Sequence, residues 1–210
     1  MPAPVPPLVL LDRDGVINRD STAYIKSVAE WEPLPGSLEA IARLTRAGFR
    51  CVVISNQSGI GRGLFSEATL EAIHARMREA AAAAGGEIAG IYYCPHRPDE
   101  GCDCRKPRPG LLLAAARDFG CALAGVPFIG DKISDVEAAR AVGARPILVG
   151  AQLGGDAEGT DSSGADEADE AIEVNDVTDV TNAIERFPDL AAAADALLAE
   201  RERGRERAQE

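Results

Sequence analysis

The chain runs to 210 residues, 46% of them apolar, with a formal net charge of −12 at pH 7: room for one domain with a sizeable core, and too little for two full ones. No stretch approaches the ~20 apolar residues of a membrane span, and the opening MPAPVPPLVLLDRDG reaches aspartates without a basic lead or a small-residue cleavage site, so a cytoplasmic protein with no membrane partner is expected. The negative charge speaks against nucleic acid, yet ten acidic side chains and no Lys or Arg fall within residues 151–180; without them the net charge is −2, which leaves a phosphorylated ligand open.

Short apolar, β-branched runs alternate with segments of helical periodicity, the pattern of βαβ units around a mostly parallel sheet. The first strand is predicted at Leu8–Leu11, followed by a helix that Ser37 caps, that carries Leu38, Ile41 and Leu44, and that Gly48 stops. A second strand at 50–54 precedes a helix capped by Ser66 with Leu70, Ile73 and Met77 on one face. Strand 88–93 comes next, then a helix bracketed by Pro109 and Gly120, strand 127–129, a short helix at 134–142 and strand 146–149. Residues 154–168 are rich in Gly, Ser, Asp and Glu with no large apolar side chain, and a mobile acidic loop is expected over 153–170. A last strand candidate at 172–174 and a C-terminal helix with an apolar stripe of Leu190, Ala194, Leu197 and Leu198 complete the chain. The expected organisation is one domain over 1–186 and a helical extension over 187–210.

Chemistry gathers where strands end. In LVLLDRDGVIN the buried run is followed at once by Asp12 and Asp14, and residues i and i+2 of extended chain point the same way, so two carboxylates are expected to share one space. Gly15 lets the backbone turn behind them. Crowded carboxylates repel, and a hard divalent cation such as Mg2+ compensates them. The run CVVI ends at Ser55-Asn56 and the run PFI at Gly130-Asp131; in an open parallel sheet these carboxyl ends meet in one crevice. Separately, Cys94-x-His96 and Cys102-x-Cys104 offer three thiolates and one imidazole, a closed tetrahedral set for a structural Zn2+. A knot there would fix the proline-rich loop that carries Arg105 and Lys106.

LDRDG, ISNQSG, RKPRPG and IGDKISD, in this order, resemble the four motifs of the haloacid dehalogenase superfamily of aspartate-dependent phosphatases. The resemblance implies a doubly wound sheet with helices on both faces, and it assigns roles. Asp12 would be the nucleophile and Asp14 the acid and base; Mg2+ would be held by Asp12, Asp131 and the backbone carbonyl of Asp14; Ser55 and Lys106 would hold the phosphoryl oxygens. The Cys/His loop just before the lysine is similar to that of the heptose-bisphosphate and histidinol-phosphate phosphatases of the superfamily, which lack large cap domains. From that subgroup Asp20, Ser21, Tyr24, Asn56, Gln57, Ser58, Arg105 and Lys132 are implied as substrate contacts, and the implied activity is release of the 7-phosphate of a heptose 1,7-bisphosphate by a monomer. Histidinol phosphate is the alternative substrate, and a non-catalytic zinc-stabilised phosphosugar-binding protein is the alternative of another class. In many relatives Thr follows the motif glycine, where this chain has Val16. His74 is read as a satisfied structural histidine, Cys51 and Cys121 as small buried hydrophobes, and Trp31 as a loop anchor. Arg62 is read either as a contact to a second phosphate or as a solvated loop arginine.

Overall fold

The computed structural model describes residues 7–150 and 184–207. The acidic loop expected at 153–170 and the strand expected at 172–174 lie outside these. Six strands form one parallel sheet: β1 (Leu8–Leu11), β2 (Arg50–Asn56), β3 (Ile88–Cys94), β4 (Pro127–Gly130), β5 (Arg145–Val149) and β6 (Glu185–Phe187). Their order is β3-β2-β1-β4-β5-β6, so the winding reverses beside β1, and the carboxyl ends of β1, β2 and β4 surround the switch point.

Alternate residues of β1 face opposite layers. Val9 and Leu11 pack with Ile41 and Leu44 of α1 (Ser37–Arg46) and with Ile73 and Met77 of α2 (Glu67–Ala83). Leu8 and Leu10 pack on the other side against Leu112 of α3 (Gly110–Phe119) and Ala138 and Ala139 of α4 (Ile133–Ala141). Each fully buried Leu or Ile contributes about 1.5–3 kcal/mol relative to exposure, which is why the β1 run reads as continuous apolar sequence. Val16, where a hydroxyl is common among relatives, is itself part of this core.

Helix α5 (Leu190–Arg207) belongs to the same body. Leu190, Ala193, Ala194 and Leu197 are buried in the layer that holds Val9 and Leu11, and Arg43 of α1 pairs with Asp195 at 3.1 Å. Arg145 of β5 reaches Glu185 of β6 and Glu200 of α5, the latter at 2.6 Å, and so ties strand edge to helix. The extension expected at 187–210 therefore starts inside β6 and shares the main core.

Helix ends follow the sequence in most places. Ser66 caps α2 by accepting from the Thr69 N–H at 3.1 Å, and α3 runs between Pro109 and Gly120 as expected. Ser37 is a correction. Gly36, at φ 76°, occupies the cap position, and the Ser37 hydroxyl donates instead to the carbonyl of Ile17 at 2.7 Å, because Ser37 is buried under the first loop. Trp31 anchors that loop, with its ring in the core and its indole N–H donating to Asn18 Oδ1 at 3.0 Å.

Candidate active site

Three carboxylates meet at the switch point. Asp12 follows β1, Asp131 follows β4, and Asp135 stands in the first turn of α4; their ligand oxygens lie within 4.8 Å of one another. Two glycines make this approach feasible. A Cβ on Gly15, which sits at φ 82°, would overlap Oδ2 of Asp131, and one on Gly130 would overlap the carboxylate of Asp135.

Lys106 is the cation in the group, 4% exposed and threaded between strand ends. Its Nζ donates to the Ile54 carbonyl at 2.9 Å and pairs with Asp12 Oδ1 at 2.9 Å and Asp135 Oδ1 at 2.6 Å. Burial works against its charge, but Asp12 and Asp135 prevail and hold its pKa above the ordinary lysine value. One ammonium does not balance three acids. Burial pushes Asp12 up to about 7 despite Lys106, with Asp135 and Asp131 adding to the rise, and burial likewise takes Asp131 to about 6. Asp131 Oδ1 is buried and has no hydrogen-bond partner among the described residues. Buried, mutually repelling oxygens with an unused acceptor form a donor set that fits a hard divalent ion such as Mg2+.

The Asp14 carboxylate is not one of these three clustered acids; it lies beside them on the side of Gln57, which also reaches Ser55. The strand ends at Leu11, so strict alternation does not carry through the turn at Gly15. Its carboxylate receives Arg13 Nε at 3.0 Å and Nη2 at 2.8 Å, Asn18 Nδ2 at 2.8 Å and Gln57 Nε2 at 2.9 Å. Burial alone would raise its pKa; Arg13, Asn18 and Gln57 together hold it below the usual value. Arg13 is 1% exposed, a fully buried guanidinium committed to one acid.

Strand β2 extends two residues past its expected end and carries Ser55 and Asn56 with it. Gln57 Nε2 bridges Ser55 Oγ at 2.7 Å and Asp14. Asn56 holds Lys106 from the backbone side, accepting its N–H at 3.0 Å and donating to its carbonyl at 3.1 Å. Ser58 is buried nearby in sequence, its carbonyl accepting from the Arg62 N–H. On the first loop, Asp20 pairs with Lys132 at 3.1 Å and accepts from the Ser21 N–H, and Tyr24 adopts a left-handed φ of 65°. Arg105 buries Nη1 without a hydrogen-bond partner among the described residues.

The second cluster is compact. Cys104 Sγ lies 3.2 Å from Cys94 Sγ and 3.4 Å from Cys102 Sγ, and His96 Nδ1 lies 3.2 Å from Cys104 Sγ. Tetrahedral Zn–S bonds of ~2.3 Å imply sulfur–sulfur edges of about 3.8 Å, so a small outward adjustment of these side chains admits the ion. All four ligand atoms come from the end of β3 and the loop that follows it, and an ion held by all four would keep no position for substrate.

Sequence reasoning missed three functional neighbours. Asp135 was legible as the second acid of GDKISD, one helical turn after Asp131; Arg13 and Asn18 carried no such signal. His74 corrects another expectation: it is buried beside Tyr93 with Nε2 unpartnered, and burial, with Arg13 and Arg78, lowers its pKa to about 4.

The HAD-hydrolase-like family model matches residues 103–180. The D-glycero-β-D-manno-heptose-1,7-bisphosphate 7-phosphatase of Pseudomonas putida is 60% identical over 142 residues, 68% of this chain and 81% of that one. The crystal structure of D,D-heptose 1,7-bisphosphate phosphatase from B. bronchiseptica, complexed with magnesium and phosphate, superposes with a TM-score of 0.75 at 44% identity, covering 92% of this chain and 99% of that one. The Burkholderia thailandensis enzyme of the same name gives a TM-score of 0.61 at 38% identity over 91% and 98% of the two chains. A doubly wound parallel sheet, three acids and a lysine at its switch point and this degree of identity together make the chain a member of the HAD-like hydrolases, within the family of the heptose-1,7-bisphosphate 7-phosphatases.

Proposed function

We propose that this chain removes the 7-phosphate of D-glycero-β-D-manno-heptose 1,7-bisphosphate through an aspartyl-phosphate on Asp12. The observation that carries the reading is Lys106, buried and charged between Asp12 and Asp135 where Asp131 leaves an oxygen unused. An Asp12 oxygen attacks phosphorus, the bond from phosphorus to the sugar oxygen breaks, and Asp14 supplies the proton that the leaving oxygen needs. Asp14 then takes a proton from water, which attacks the acyl phosphate and releases inorganic phosphate with Asp12 restored. Arg13 favours the ionised Asp14 required in that second step; protonating the leaving oxygen requires the carboxylate to part from the guanidinium. Ser55 and Lys106 bind the phosphoryl oxygens during transfer. Asp12, Asp131 and Asp135, with the backbone carbonyl of Asp14, would hold Mg2+, which when bound neutralises charge on the phosphoryl group and on the acids.

Substrate recognition falls to Asp20, Ser21, Tyr24, Gln57, Ser58, Arg105 and Lys132. The buried, unpartnered Nη1 of Arg105 supports a second anionic contact, as a bisphosphate demands. Cys94, His96, Cys102 and Cys104 would bind a structural Zn2+. A cytoplasmic location belongs to the same reading; among the described residues no helix is long and apolar enough to cross a membrane. The test is phosphate release from the heptose bisphosphate and from histidinol phosphate, each with and without Mg2+. Preference for the bisphosphate, dependent on Mg2+, is expected; equal or better turnover of histidinol phosphate would reassign the substrate.

A further inference from the structure

We infer that Asn56 is a positioning residue for Lys106 and not a sugar contact. The inference rests on the reading of Lys106 as the phosphoryl-binding cation. Its basis is a two-sided bond across fifty residues of chain: the Asn56 amide oxygen accepts the Lys106 N–H at 3.0 Å, and its nitrogen donates to the Lys106 carbonyl at 3.1 Å. A side-chain amide that pairs with both main-chain groups of one residue fixes where that residue sits and how its peptide planes are turned. The same strand also holds the far end of the side chain, because the Ile54 carbonyl accepts from Nζ at 2.9 Å. Strand β2 thus grips Lys106 at both ends, and Ser55 stands between the two grips.

The placement of Asn56 adds a second constraint. Its backbone is in register with Cys94 of β3, and the Cys94 carbonyl accepts from the Gln57 N–H at 2.7 Å. Cys104, two residues before Lys106, belongs to the cluster that contains Cys94. The lysine loop is therefore held from the Cys/His knot on one side and by the Asn56 amide on the other. A cationic donor placed wrongly by even 1 Å costs about 100-fold in rate, so a loop in which Pro107, Pro109 and Gly110 follow the lysine needs such a hold.

Asn56→Ala deletes both bonds and leaves the backbone ladder of β2 intact. In the full-length protein, NMR should show the Lys106 amide proton exchanging about 10-fold faster or more, while the amides of Val52, Val53 and Ile54 are unchanged. Asn56→Asp keeps an acceptor for that N–H and should restore part of the protection. With Mg2+ present, kcat/KM should fall by about 10- to 100-fold for the heptose bisphosphate and for p-nitrophenyl phosphate alike, and adding Asn56→Ala to Lys106→Met should cost nothing more. Unchanged Lys106 exchange, a loss confined to the sugar substrate, or an additive loss in the double variant would each overturn the inference. Should the wild type hydrolyse neither phosphate, the phosphatase reading fails, and the exchange measurement still decides the clamp.

Discussion

The two ligand clusters of this protein are built in opposite ways. The Cys/His knot draws four ligands from residues 94–104 and closes on itself, whereas the carboxylate triad draws Asp12 from the end of β1 and Asp131 and Asp135 from the distant β4–α4 segment and remains short of positive charge. Soft, closed and local suits a fastener; hard, crowded and assembled by the sheet suits a reaction centre. Lys106 links them, two residues from one cluster and ion-paired within the other.

The largest effect that separates the clusters is expected from Asp12→Asn. Turnover should fall by about 10^4-fold or more, with zinc content and melting temperature close to those of the wild type; unaltered turnover would remove Asp12 as nucleophile. Cys104→Ser should do the reverse. Losing one ligand of a structural site at a cost of about 3 kcal/mol lowers Tm by roughly 6–12 °C at about 2–4 °C per kcal/mol, measured by calorimetry beside metal content. Activity should fall with it, because the loop of Lys106 loosens; full activity in a zinc-depleted protein would uncouple the two clusters.

A third prediction concerns pH. Asp12 near 7 and Asp131 near 6 bind protons that the unfolded chain, with ordinary carboxylates near 3.8, does not. The native state therefore holds more protons in this interval, and stability from these groups declines as pH rises through their folded values. His74 contributes with the opposite sign, but only below its ordinary value of 6.5. Between pH 6.5 and 8, then, the zinc-loaded, Mg2+-free protein should lose Tm as pH rises, and Asp131→Asn should flatten the slope. Mg2+ displaces the same protons, so its affinity by titration calorimetry should weaken as pH falls through 7. The smallest effect is expected at the rim. Asp20→Asn removes an exposed ion pair with Lys132 worth at most about 1 kcal/mol, leaving Tm nearly unchanged and acting on KM for the bisphosphate more than on kcat.

The contrast also explains what could be read from sequence. The knot was legible because its ligands are neighbours in the chain, and the strand-end acids were legible because β1 and β4 are short, uniformly apolar runs that stop at a carboxylate. Asp135 was within reach as the second acid of GDKISD. The Arg13 pairing was not, since a buried arginine beside a strand end looks like an exposed turn residue until the first loop folds over it. The Asn56 contact is likewise tertiary: nothing local marks an amide that bonds fifty residues away. Strand β6 escaped because three half-buried residues, two of them charged, show no apolar period; Arg145 and the sheet edge decide its conformation.

That last strand has a practical consequence. Among the described residues β6 covers the side of β5 that faces away from β4, and α5 seals the apolar flank of α1. A chain shortened before Ile184 would present an open parallel edge together with a greasy helix face, an invitation to self-association. Inactivity in such a truncated protein would report insolubility, and affinity tags or fusions are better attached beyond Arg207 than used to replace the final helix.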